Sequence, residues 1–267
     1  MIMKHITRLV FCLALLSFCS CQKVIDLKLH DADIKYVVEG LITNEPGVCK
    51  VSLTQSKPFY ESNQFPGVSG AIVTIKDNDV EFSLPETQPG VYESSSINGV
   101  PGHLYELSVT INGHVFTASS KMPVPVLLDT IYISDGPFGQ FKFATVGYND
   151  PAGVTNNYRF VQYLNGAKDP AIFWQNDEFT DGQTVLTQLD TGVDKKDDPR
   201  AIKSGDTVTI EMLGIDDAVY KYWYSLHFNG GDGGNIATPA NPPTNLSGGA
   251  LGYFSAQTVD RKIIIAP

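Results

Sequence analysis

The chain has 267 residues, with 19 basic and 29 acidic side chains and a net charge of −10. An acidic surface excludes a role led by phosphate neutralisation, so neither nucleic acid nor an anionic lipid surface is expected as an electrostatic partner. The length suits one or two domains with ample chain for a core.

The first element is a leader. Lys4 and Arg8 supply a basic start, and Phe11–Phe18 is a short apolar run of signal-peptide length, well under the roughly 20 residues a spanning helix needs. Ser20 before Cys21 fits cleavage in front of a cysteine whose thiol carries diacylglycerol, as in bacterial lipoproteins; Phe18 stands where that pattern usually has Leu. Cleavage elsewhere, with Cys21 an ordinary thiol, is the alternative. Residues 1–20 thus read as a signal peptide and 21–34 as a lipidated tether. Acyl chains contribute about 0.8 kcal/mol per buried methylene, and two or more hold a protein firmly to its membrane. Cys12 and Cys19 leave with the leader, so Cys49 alone remains unmodified, and no intrachain disulfide or cysteine metal site is expected.

From 35 to 125 the sequence alternates in short runs broken by turn residues. Tyr36–Ile42, Val48–Thr54, Ala71–Ile75, Val80–Leu84, Gly90–Tyr92, Leu104–Ile111 and His114–Ser119 read as strands. Asn112-Gly113 between two alternating runs is a strong hairpin signal. This spacing predicts an antiparallel β-sandwich. Met122-Pro-Val-Pro125 is a stiff spacer, which puts the domain boundary at 125/126. Beyond it, 129–133, 140–147, 158–164, 184–189, 207–213 and 259–265 read as strands of a second β-rich domain, 126–267. Asp216–Asn229 is the one helix expected: Asp216 can cap it, Val219, Tyr222, Trp223 and Leu226 recur at helical spacing, and Asn229-Gly-Gly stops it. Residues 230–256, rich in glycine and proline, read as an irregular but packed loop. The fold expected is all-β, two sandwiches with one helix.

Catalytic signals are weak. Gly67-Val-Ser-Gly-Ala71 has the outline of a nucleophile elbow, but a proline-bearing loop precedes it and a β-branched strand follows, so it reads as a turn. His30, His103, His114 and His227 stand alone in sequence, without the spacing of zinc ligands. Asp77-Asn-Asp79 and Gly230–Asn235 carry oxygen ligands but lack a calcium-loop pattern, so neither a metal nor any other cofactor is expected. Asp129-Thr-Ile and Asp206-Thr-Val match a short O-glycosylation acceptor and equally read as strand starts. Phe59, Tyr60 and Phe65, beside Asn63 and Gln64, and Phe173-Trp174, before Asn176-Asp-Glu, are the candidate binding residues. Rings next to amides and acids suit a glycan or peptide ligand, although a sandwich also buries such rings.

Cys21-Gln-Lys-Val-Ile-Asp-Leu, Val38-Glu-Gly40, Pro66–Ala71, Gly99-Val-Pro-Gly102 and Asn241–Phe254 together give the chain a likeness. It resembles a Bacteroidetes outer-membrane lipoprotein family catalogued as a domain of unknown function, number four-two-four-nine. The N-terminal half also resembles carboxypeptidase-regulatory-like and other transthyretin-like sandwiches. The resemblance implies an outer-membrane lipoprotein often encoded beside a TonB-dependent transporter, and it brings no catalytic residue. Gln22 departs from the acidic residue that favours surface export. The expectation is therefore a lipid-anchored, non-enzymatic accessory or ligand-capture partner of a TonB-dependent transporter at the cell surface, with the periplasmic face as the alternative. Loops 57–66 and 230–250 are its expected contact surfaces. An adhesin-like or envelope-scaffold module is the second reading.

Overall fold

The computed structural model describes residues 33–58, 61–136, 139, 141–229 and 240–267. Ile34–Pro267 form one compact unit. Cys21 lies outside the described residues, and so do Phe59, Tyr60, His30 and residues 230–239.

The chain is mostly β. The first-half strands are β1 Tyr36–Thr43, β2 Cys49–Gln55, β3 Ile72–Asp77, β4 Val80–Leu84, β5 Glu86–Gln88, β6 Val91–Glu93, β7 Leu104–Ile111 and β8 His114–Lys121. They are followed by β9 Leu128–Asp135, β10 Lys142–Asn149, β11 Asn157–Leu164, β12 Ala167–Lys168, β13 Phe173–Asn176, β14 Thr184–Leu189, β15 Thr207–Ile215 and β16 Leu251–Ile265. One helix, α1 Asp217–Asn229, is present among the described residues. The hairpin tips are those that turn chemistry requires. Asn112 and Gly113 take φ of 47° and 80° between β7 and β8, and Asn78 takes 51° between β3 and β4.

Three sheets result. The largest runs β12-β11-β15-β16-β1-β2-β6-β5, with β13 also on β11; a four-stranded sheet runs β4-β3-β7-β8 and a three-stranded one β14-β10-β9. Two hydrophobic cores follow. Val38, Val51, Leu53, Ile75, Leu107, Val109 and Phe116 meet in the first, and Val146, Tyr148, Tyr158, Phe160, Val208, Ile210 and Met212 in the second. Each is a sandwich interior, filled by every second residue of its strands.

The two sandwiches share a sheet. Strand β16 pairs with β1 in parallel over Leu251–Gln257 and with β15 antiparallel over Thr258–Ile265. Its first half gives Phe254 and Ala256 to the first core, and Ile264 packs on the second. The Pro123–Pro125 spacer separates strands of the two cores, but Leu246, Ala250, Phe254 and Ala256 return to the first from beyond it.

The closing strand corrects the expectation: it begins at Leu251, not Val259, and takes in residues read as loop. The misleading signal was Gly252. Its φ is +96°, and a Cβ there would sit 2.0 Å from the Val38 carbonyl oxygen, so only glycine lets β16 lie against β1. The segment before β16 is held by side chains acting as backbone. Asn245 Oδ1 accepts from Phe254 N (3.0 Å), Asn245 Nδ2 donates to Phe254 O (2.8 Å), and Thr244 Oγ1 donates to Gly252 O (2.7 Å). Leu246 and Ala250 are buried, so this part of the stretch is packed, as expected.

Candidate functional site: an aromatic face beside a groove

Helix α1 lies on the outer face of the large sheet. Alternation along β11 creates the place for it: Tyr158, Phe160 and Leu164 face the second core, while Arg159, Val161 and Tyr163 face outward. Leu213 and Ile215 of β15 and Tyr253 and Val259 of β16 complete the platform. Val219 and Tyr220 are the helix residues buried on it. Of the expected stripe, Val219 is buried and Tyr222 and Trp223 pack on Tyr253, with ring centroids 4.8 and 5.3 Å away; Tyr220 joins them and Leu226 faces the neighbouring groove.

Beneath Trp223 sits Arg159, its guanidinium carbon 3.5 Å from the ring centroid. Arg159 Nε is buried without a hydrogen-bond partner. Burial draws the guanidinium pKa down, while Tyr253, Tyr163 and Glu211 act to hold it up. Tyr253 is pushed up to about 12, first by burial. These groups form a packed cation–aromatic layer that fixes the helix on the sheet.

A second aromatic row turns towards solvent. Tyr220, Tyr224 and Phe228 repeat every four residues, and Trp174 of β13 is inserted against them, with centroids 6.0, 4.6 and 5.8 Å away. His227 closes the row at 6.0 Å from Trp174. Tyr224 is 41 % exposed and Phe228 37 %. His227 and Leu226 also rim a groove of about 710 Å³, lined further by Pro170, Ile172, Asp190, Thr191 and Arg200. Arg200 is fixed there: Nε and Nη2 bond Asp198 at 3.2 and 2.9 Å, and Nη1 bonds Thr191 O at 3.0 Å. These bonds hold the Asp198 carboxyl below its ordinary value. Rings half open to water beside an anchored guanidinium can stack on the apolar face of a sugar or an aromatic side chain and meet an acidic group.

Trp174 thus belongs to this face. Phe173, its neighbour in β13, packs against the second core instead, because successive residues of a strand point to opposite faces. Phe65 is 52 % exposed in the loop before β3, and no ring contact joins it to Trp174 among the described residues. Tyr224, Phe228 and Arg200 were not singled out from sequence, and His227 was weighed only as a metal ligand. The every-fourth-residue repeat of Tyr220, Tyr224 and Phe228 was the available signal.

The other motifs sit in ordinary hydrogen-bonded surroundings. Glu86 accepts the N–H groups of Gly70 (3.1 Å) and Gly90 (2.8 Å), and with the Ser69 hydroxyl these hold its carboxyl below the usual range. The Gly67–Ala71 segment is a loop entering β3, without a following helix. His103 Nδ1 lies 2.8 Å from Asp77 Oδ1, His114 stacks on Phe116, and His227 lies by Trp174, so the described histidines stand apart. Asp129 and Asp206 accept from the Asn149 and Asn165 amides at 2.6 and 2.8 Å.

No helix of the described residues is long and apolar enough to cross a membrane. No curated protein matches the chain. The family described as Domain of unknown function (DUF4249) matches residues 22–263, and the chain belongs to that family.

Proposed function

We propose that the protein is an outer-membrane lipoprotein, anchored through Cys21, that captures a ligand or docks a transporter without catalysing a reaction. The observation that carries this is the pair of half-open rings Tyr224 and Phe228 packed on Trp174, with His227 joining them to a groove that contains a fixed Arg200. Interfaces and ligand sites are enriched in such rings, and a concave surface of this volume suits a small solute or a peptide. The TonB-dependent β-barrel transporter is the partner we assign, with a glycan or peptide as ligand. The apolar leader and Ser20-Cys21 support the membrane anchor. The groove favours capture over an adhesin-like scaffold, which would present a flat apolar patch.

The test is affinity purification of tagged chain from solubilised outer membrane, followed by mass spectrometry. A stoichiometric barrel transporter that is lost with Tyr224→Ala/Phe228→Ala is the expected result. Recovery of the lipoprotein alone from both forms would remove the transporter assignment.

A further inference from the structure

Away from the aromatic face, three acidic side chains from two loops meet at one end of the second sandwich. Asp150 follows β10, Asp177 follows β13, and Asp181 lies one turn later. One carboxylate oxygen from each lies within 4.8 Å of the others. Asp150 and Asp177 are buried, and among the described residues no salt bridge reaches any of the three. Two buried carboxylates with a third at the surface beside them, and no cation among them, favour a bound positive charge.

Their donors are neutral and cross-tie the loops. Asp181 Oδ1 accepts Gly153 N (2.7 Å), Asp177 Oδ2 accepts Asn156 N (2.8 Å), and Asp150 accepts the Tyr158 hydroxyl and Gly182 N (3.4 Å). A separate observation points the same way. Tyr148 is fully buried and its hydroxyl has no hydrogen-bond partner. It stands two residues before Asp150 on the same face of β10, with its ring 4.9 Å from and edge-on to Tyr158, whose hydroxyl reaches Asp150. A second buried hydroxyl oxygen without a partner, Thr180 Oγ1, belongs to the 177–181 turn itself. Buried hydroxyl oxygens without partners, one two residues before Asp150 and one inside the 177–181 turn, add oxygen donors of the kind a cation site uses.

We propose that Asp150, Asp177 and Asp181 bind one calcium ion that locks the β10–β11 and β13–β14 loops together. The donor set is all oxygen, which suits a hard cation and disfavours zinc, whose protein sites are built on histidine and cysteine. Oxygens around calcium at about 2.3–2.6 Å are separated by up to roughly 5 Å, so a 4.8 Å cluster fits a single ion. The motif is invisible as a calcium loop because its ligands are split between two segments.

The test uses the full-length chain in detergent, stripped with a chelator. Terbium is the probe, because Tyr148 and Tyr158 can sensitise its emission. We expect tyrosine-sensitised emission that calcium displaces, and a higher melting temperature in about 5 mM calcium, above the roughly 10⁻⁴–10⁻³ M range of extracellular calcium modules. Asp150→Asn and Asp177→Asn disturb buried bonds to Tyr158 and Asn156, so exposed Asp181 carries the variant. Asp181→Asn can still accept from Gly153 and should keep the calcium-free melting temperature while weakening calcium binding roughly tenfold or more. Asp79→Asn, at the distant β3–β4 tip, should change neither. Absence of emission and of any melting shift in the parent chain would overturn the site. Equal calcium binding by Asp181→Asn would overturn its ligands, and an equal effect of magnesium would overturn the choice of ion.

Discussion

Asp216 caps α1 with one carboxylate oxygen, accepting Val219 N at 2.9 Å, and receives the Ser120 hydroxyl on the other. Ser120 in turn accepts Ala256 N at 2.8 Å, so a single half-buried acid ties the helix to β8 and β16. Asp216→Ala should cost about 1–2 kcal/mol in a urea titration, since it removes a cap and leaves Ser120 short of an acceptor. Burial holds the Asp216 carboxyl above its ordinary 3.8, against the pull of Ser120 and the helix N–H groups. The folded chain therefore binds this proton more tightly than the unfolded one. Stability linked to it is full below about pH 3.8 and is lost as pH rises through the folded-state value. Asp216→Asn lacks that proton, so its stability relative to the parent should rise from pH 4 to pH 7 in parallel denaturation series; the opposite trend would mean that the charged form is the favoured one. Cys49 belongs to the same scale. Burial pushes its thiol up to about 12, so an alkylating reagent mapped by peptide mass should reach Cys49 only when the first core opens.

Among the elements, α1 separates structure from recognition on one helix. Val219 and Tyr220 hold it down, whereas Tyr224 and Phe228 stand half open against Trp174, so truncating the open pair to alanine should cost about 1–3 kcal/mol of ring contacts and leave the chain folded. Partner capture should fall by contrast, which a melt and a pull-down on the same variants will separate. The hairpins and the helix were legible because their signals are local: Asn112-Gly113 requires positive φ, and an acidic cap with a glycine stop bounds α1. The short pieces β5, β12 and β13 were not, since two to four residues carry no periodicity. Trp174 was legible as a candidate, whereas its partners on α1 were hidden among residues that looked like helix packing. The 244–256 segment misled for a different reason. Its glycine and asparagine do long-range work, Gly252 by letting β1 approach and Asn245 by pairing with Phe254. Asn245→Ala should cost about 1–3 kcal/mol, because it orphans a backbone N–H and a carbonyl at once; thermal denaturation measures it.

Taken whole, the molecule is two interiors on one sheet, and β16 is their common wall. A chain cut after Pro125 would lack Leu246, Ala250, Phe254 and Ala256, so residues 22–125 expressed alone should show no cooperative unfolding transition. The intact chain should unfold in one step by circular dichroism and by tyrosine fluorescence alike. The parallel pairing of Val37 with Leu251 also sets an order of events during synthesis. Closing so long a loop is entropically late and kinetically slow, and the first sandwich waits for strand residues that emerge almost last. Until Phe254 and Ala256 arrive, the edge of β1 stays unpaired and its core open. The chain thus remains threadable for nearly the whole of its synthesis, and its tail is the bolt that ends that state.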